Sequence, residues 1–301
     1  MPDFAVTREP LLAEEDAGLL RPARALIGWM SDHQAVRALA SGRDDADFTP
    51  EQKALVSRAR ATVAARTTDL DQTGIVMPLP PELADHAAAL RASSPTMFDE
   101  GWDLALVDLS RVCAFQPTVR IAHAEERVAA ALGEDWAGLA RLTVPVAPSG
   151  RLRASFDEAR NAWVIVSPNR NLRLIGRFTA PVPGSPLGGE SGDTPGFGFV
   201  VTVAPSYLQV AEFCGRYILR DGYHRALGLL AAGVPVVPAL VCSLGAIEQL
   251  NVPGTLPQEG FLGAQPPLLP DYFLDDVAVD VLTPSAQKMV LIQGIEIDFL
   301  S

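Results

Sequence analysis

The sequence predicts a mixed α/β (α+β) protein, with a mixed-sheet core between an N-terminal helical region and a C-terminal β extension. Three stretches carry that expectation. Asp103 to Leu109, DLALVDL, alternates as a half-buried strand does. Tyr217 to Val241 reads as strand, turn, helix, turn, strand. Thr49-Pro50-Glu51-Gln52 has the form of a helix start: threonine caps, proline takes the first helical position and Gln52 completes a capping box.

In chain order, Ala17 to Ala40 carries apolar residues at mixed three and four spacing, interrupted near Ser31-Asp32, and predicts helix. The helix opened by Thr49 continues through ALVSRARATVAA, and Pro80-Pro81-Glu82 opens another that runs through Leu90. Ser93-Ser94-Pro95 reads as a boundary, so residues 1–98 form the helical region. Glu125 to Leu132 predicts a helix closed by Gly133. NAWVIVS and LRLIGRFTA flank Pro168-Asn169-Arg170-Asn171 and predict a hairpin. Residues 181–198, rich in Gly and Pro, predict a mobile loop able to meet a protein partner, and FGFVVTVA after it a strand. The core spans 99–247, with an insertion at about 140–198. Residues 248–301 form an extension with two strands, VAVDVL and KMVLIQGIEIDFL, packed on the core.

At 301 residues the chain buries enough surface to fold without metal or disulfide staples. Hydrophobic residues make up 48% and charged residues 20%, ordinary globular usage that excludes global disorder. The net charge of −12 argues against a general nucleic-acid binder and against an anionic membrane surface. Cys113, Cys214 and Cys242 form no CxxC pair and suit a reducing compartment, with Cys214 expected in the core. The first residues lack a basic start and an apolar stretch, so a cytoplasmic location is expected. Ala226 to Ile247 is uncharged, but Gly233, Pro235 and Pro238 break it, so it reads as buried helix and strand rather than a membrane span. Residues 151–177 hold six arginines against Asp157 and Glu158, a local excess of four positive charges. That excess could receive nucleic acid, an acidic partner or the chain's own acidic N-terminal region; self-pairing or a solvated hairpin face accounts for it without any of them, and nucleic acid is not an expected partner. The four histidines are dispersed, without HxxxH or HExxH spacing, so no protein-held metal site is expected.

The chemistry concentrates at Asp221-Gly222-Tyr223-His224-Arg225. His224 and Arg225 lie in the first turn of a helix, where the macrodipole is already positive. Free amides, a glycine and two cationic side chains together make a phosphate cradle. The alternative needs no ligand: Asp221 caps the helix and pairs with Arg225, and His224 is a satisfied buried imidazole.

This stretch, followed by ALGLLAAG and a valine-rich strand, resembles the signature of the ParB/sulfiredoxin-like superfamily. Val107-Asp108-Leu109-Ser110-Arg111 leading into Phe115-Gln116-Pro117-Thr118-Val119-Arg120 is similar to that family's opening box. The resemblance covers roughly 102–247. It implies a nucleotide (ATP, ADP or CTP) bound with Mg²⁺ by Gln116, Arg120, Gly222, Tyr223, His224 and Arg225. Asp221 and His224 would be the catalytic candidates of an NTPase or of a phosphotransferase acting on a small molecule or protein. The departures are specific. Tyr223 stands where sulfiredoxins need cysteine, and Gln116 where the free-serine kinases place a glutamate base. The acidic, Pro-rich residues 248–301 hold no helix-turn-helix of the chromosome-partitioning type. These departures leave a second reading open, a non-catalytic nucleotide-sensing, assembly or regulatory protein with a partner for its N-terminal region.

Overall fold

The computed structural model describes residues 20–41, 47–67, 70–121, 124, 128, 135–146, 152–167, 172–182, 194–203, 205–250, 254–284 and 288–293. Its class is mixed α+β. In chain order the elements are β1 (Leu20–Ala25), α1 (Asp32–Leu39), α2 (Pro50–Ala64), β2 (Val76–Met77), α3 (Ala84–Ser93), α4 (Pro95–Asp99), β3 (Asp103–Asp108), β4 (Thr118–Val119) and α5 (Trp136–Thr143). There follow β5 (Arg153–Asp157), β6 (Ala162–Ser167), β7 (Leu172–Val182), β8 (Thr194–Val203), β9 (Gln209–Phe213), β10 (Arg216–Asp221), α6 (Tyr223–Ala231), β11 (Val236–Ser243), α7 (Gln258–Phe261), β12 (Val279–Pro284) and β13 (Lys288–Gln293). The chain divides into two compact units, one of residues 18–147 and 206–285, the other of 1–17, 148–205 and 286–301.

The larger unit is built on a five-stranded sheet of order β10-β9-β11-β3-β2. Only the β9–β11 pair is parallel. The strand–turn–helix–turn–strand run from Tyr217 forms as its sequence predicts. Gly222 opens α6 at φ +96°, and Gly233 follows its end at φ +76°, a left-handed position that favours glycine. The helix buries Tyr223, Arg225, Ala226, Leu227, Gly228 and Leu229. Thr49 and Gln52 form the capping box at α2, with reciprocal bonds of 3.3 and 3.0 Å.

Several local expectations give way to non-local pairing. Leu20–Ala25 is a strand, not helix. It pairs antiparallel with β12 over six residues, from Leu20 opposite Pro284 to Ala25 opposite Val279. Its other side meets β4 only at Arg24 and Ala25, so Pro22 sits where no amide is asked of it. A helix-like spacing of apolar residues thus loses to a partner strand from the far end of the chain. Residues 1–98 are therefore not wholly helical, since β1 and β2 lie within them. Residues 248–301 are not one appendage: Leu256, Phe261, Leu269 and Tyr272 belong to the larger unit's core, whereas β13 pairs with β6 in the smaller unit.

In the smaller unit, β6 pairs with β5 and β13, and β7 pairs with β8. The predicted β6–β7 hairpin is not among these pairs. The hairpin forms instead at residues 158–161, where Asp157 accepts from the Arg160 amide and Asn161 is left-handed at φ +47°. The two ends of the predicted 181–198 loop are strand: Pro181 and Val182 face Pro195 and Thr194, and residues 183–193 lie outside the described residues. The helix predicted at Glu125 to Leu132 also lies outside them, apart from Val128. Cys214 is exposed, not core, because it turns the β9–β10 hairpin with Gly215, both left-handed. Among the described residues no helix is long and apolar enough to cross a membrane.

Candidate functional site

The two stretches that carry the family resemblance meet inside the larger unit, and the link is Tyr223. Its hydroxyl accepts from the amides of Phe115 (2.9 Å) and Gln116 (3.2 Å). Its ring packs tilted to Phe115 and edge-on to Tyr272, with centroids 6.3 Å away in each case. The Tyr272 hydroxyl in turn donates to the Gln116 carbonyl. Burial pushes the phenols of Tyr223 and Tyr272 well above the ordinary tyrosine range, so each stays neutral at physiological pH.

The turn is equally tight. The Gly222 amide donates to Asp221 Oδ1 at 2.6 Å, and the Gly222 carbonyl accepts from the amides of Arg225 and Ala226, both at 2.9 Å. A Cβ on Gly222 would stand 3.0 Å from the Leu208 Cα. Glycine is thus required twice over, by its positive φ and by the backbone beside it.

Arg225 is the main departure from the expected cradle. It is buried, at 4% exposure, and its guanidinium points into the protein. Nη1 donates to the carbonyls of Leu142 (3.1 Å), Thr143 (3.3 Å) and Ser206, and Nη2 to the Ser206 hydroxyl (2.7 Å). Leu142 and Thr143 end α5, whose last carbonyls have no partner within their own helix. A cation there also complements the negative end of that helix. The residue read from sequence as a phosphate fork is therefore a C-terminal helix clamp.

The remaining candidates do not converge. The Gln116 side-chain amide donates to the Thr118 carbonyl at 2.8 Å, two residues on in its own loop. Arg120 is half-buried and makes no hydrogen bond to the turn. His224 is half-buried. Asp221 accepts from the Gly222 amide next to it. With Arg225 withdrawn, this set does not fit a di- or triphosphate. The sequence-based reading missed Leu142, Thr143 and Ser206. They are 83, 82 and 19 residues from Arg225, and no spacing rule could have found them.

Comparison with family models, with curated proteins and with solved structures finds no match to this chain.

Proposed function

We propose that this chain is a non-catalytic assembly or regulatory protein built on a ParB/sulfiredoxin-like core. In it the nucleotide-gripping turn has become a structural joint. The observation that carries this reading is the Arg225 guanidinium, occupied by three carbonyls and a hydroxyl of its own chain. Phosphoryl transfer depends on cations placed at the transferring group. The chain's own α5 terminus holds the arginine that would serve there. Gln116 in place of a glutamate further removes a base from the loop that Tyr223 anchors.

One observation favours a second reading, in which the core still binds a nucleotide. Gly222 is left-handed at the opening of α6, and Tyr223 keeps the Gln116 loop against that turn. The Tyr223 and His224 amides with His224 would then make a weaker anion site.

Calorimetry with ATP, ADP, CTP and GTP, each with and without Mg²⁺, tests the proposal, together with prolonged incubation to detect phosphate release. The expected result is no turnover with any of them. Turnover that disappears in Arg225→Lys, with thermal stability kept, would overturn it. Binding without turnover would select the nucleotide-sensing version.

A further inference from the structure

The three-stranded sheet of the smaller unit, of order β13-β6-β5, ends on a strand with an open side. β5, with the sequence RASFD from Arg153 to Asp157, pairs with β6 in unbroken register, and among the described residues no strand pairs with its other side. Such an edge presents a row of backbone donors and acceptors, which proteins ordinarily guard with a proline, a bulge or a lysine. β5 has none of the three. Its charges stand only at its two ends, and they are opposite in sign. The register also fixes the faces. Ser155 lies opposite Val164, and both are buried. On the other face Phe156, Trp163 and Ile292 form one row across the sheet, and Ala154, Ile165 and Val290 the next. None of these six is buried, and Phe156 and Trp163 are 40% and 41% exposed. This face is therefore apolar where an antiparallel sheet ordinarily turns polar side chains to water. Phe156 is its outermost ring, 5.5 Å from Trp163 on one side and beside the open edge on the other.

We infer that β5 is a self-association edge, to which a second copy of this chain adds its own β5, antiparallel, about a twofold axis at Ser155. The occupant follows from the sequence of the strand. In that register Arg153 stands opposite Asp157 of the second copy at both ends, Ala154 opposite Phe156, and Ser155 opposite itself. Opposite charges directly across an antiparallel pair are favourable. A parallel, in-register arrangement would set Arg153 against Arg153 and Asp157 against Asp157, which is destabilising. Phe156 gains the neighbours it lacks: Ala154 directly across, and the second Phe156 on the diagonal, about 7–8 Å away and within reach of an aromatic ring. Residues 153–160 hold two arginines and two acids, Asp157 and Glu158, so the edge is locally neutral. It offers no net charge to a basic or an acidic partner. Two copies meet there without the repulsion that a chain of net charge −12 carries elsewhere. Asp157 also holds its own turn, accepting from the Arg160 amide at 3.1 Å and from Arg160 Nη1 at 3.4 Å. An ionised carboxylate has about four acceptor sites, which leaves room for Arg153 of the second copy.

The test is sedimentation equilibrium of the full chain up to about 100 µM, where a monomer–dimer equilibrium is expected. Arg153→Asp and Asp157→Arg each set like charges against each other at both ends, and each should weaken the dimer about tenfold. Mixed together, the two variants should associate as strongly as the parent chain, because opposite charges then meet at both ends. Thermal melts confirm that each variant folds. Should Asp157→Arg lose its turn, cysteine cross-linking reads the same register. A Cys214→Asn background removes the exposed native thiol and keeps a residue that accepts the left-handed position. In it, Ser155→Cys places two thiols directly across the axis, with Cα atoms about 4.5–5.5 Å apart, and oxidation should give a covalent dimer. Ala154→Cys places them on a diagonal of about 7–8 Å and should not. A chain that stays monomeric to about 100 µM would overturn the inference. So would a dimer indifferent to Arg153→Asp, or equal cross-linking of the two cysteine variants. None of these outcomes depends on nucleotide binding at Gly222, and the proposed function of the core stands or falls separately.

Discussion

Replacing Arg225 by methionine separates a structural clamp from a ligand contact. Methionine keeps the unbranched stem and removes the guanidinium. The Thr143 carbonyl would still accept from the Leu208 amide at 2.7 Å, so it is not orphaned. The carbonyls of Leu142 and Ser206 lose the guanidinium that serves them. Leaving a buried acceptor without a donor costs about 1–3 kcal/mol, so the two together should cost about 4 kcal/mol. For a domain of this size that lowers the melting temperature by about 8–16 °C. Lysine at the same position should recover part of this, since an ammonium reaches one or two of the carbonyls but lacks the planar fork. Differential scanning fluorimetry, followed by urea unfolding, measures both. A methionine variant with unchanged stability would refute the clamp and return Arg225 to the solvent side of the turn.

Tyr223→Phe leaves the buried Phe115 amide and its neighbour Gln116 without an acceptor, and should cost about 1–3 kcal/mol in urea unfolding. Gly222→Ala combines a disfavoured φ of +96° with a close backbone neighbour, and should cost about 1–3 kcal/mol by the same assay. Under native conditions a disulfide reagent should titrate the exposed Cys214 quickly. Cys113 and Cys242 should react only on unfolding, the former because burial lifts its thiol to about 12. That shift also sets an alkaline limit. The unfolded thiol ionises near pH 9 while the folded one holds its proton. Stability is therefore complete below pH 9 and falls as pH rises toward 12, with the buried tyrosines adding to the loss above pH 10. A flat profile of melting temperature between pH 8.5 and 10.5 would contradict this.

What could be read from the sequence was local. The capping box of Thr49 and Gln52, the left-handed Gly233 and the alternation of β3 are each decided within a few residues, and each formed. Some misreadings trace to a partner distant in sequence and others to a local turn, such as the one that exposes Cys214. Leu20–Ala25 has helix-like spacing but is claimed by β12, and β6 prefers β5 and β13 to the neighbour that Pro168-Asn169 suggested. The site follows the same rule. The tight turn was visible in Asp221-Gly222. The direction of Arg225 was not visible. A buried arginine and a phosphate-binding arginine are the same letter, and the carbonyls that decide between them belong to another helix.

The β1–β12 pairing bears on how this protein is made. Arg24 bonds the carbonyl of Tyr272, 248 residues later, and at about 5–20 residues per second the ribosome delivers that partner about 12–50 s after Arg24 itself. Throughout that interval Ala25, Leu26 and Ile27, fully covered in the finished molecule, belong to a nascent chain whose matching strand is not yet translated. Biogenesis should therefore depend on a holding chaperone, and release from the ribosome before Val279 should give an aggregate rather than a shorter folded product.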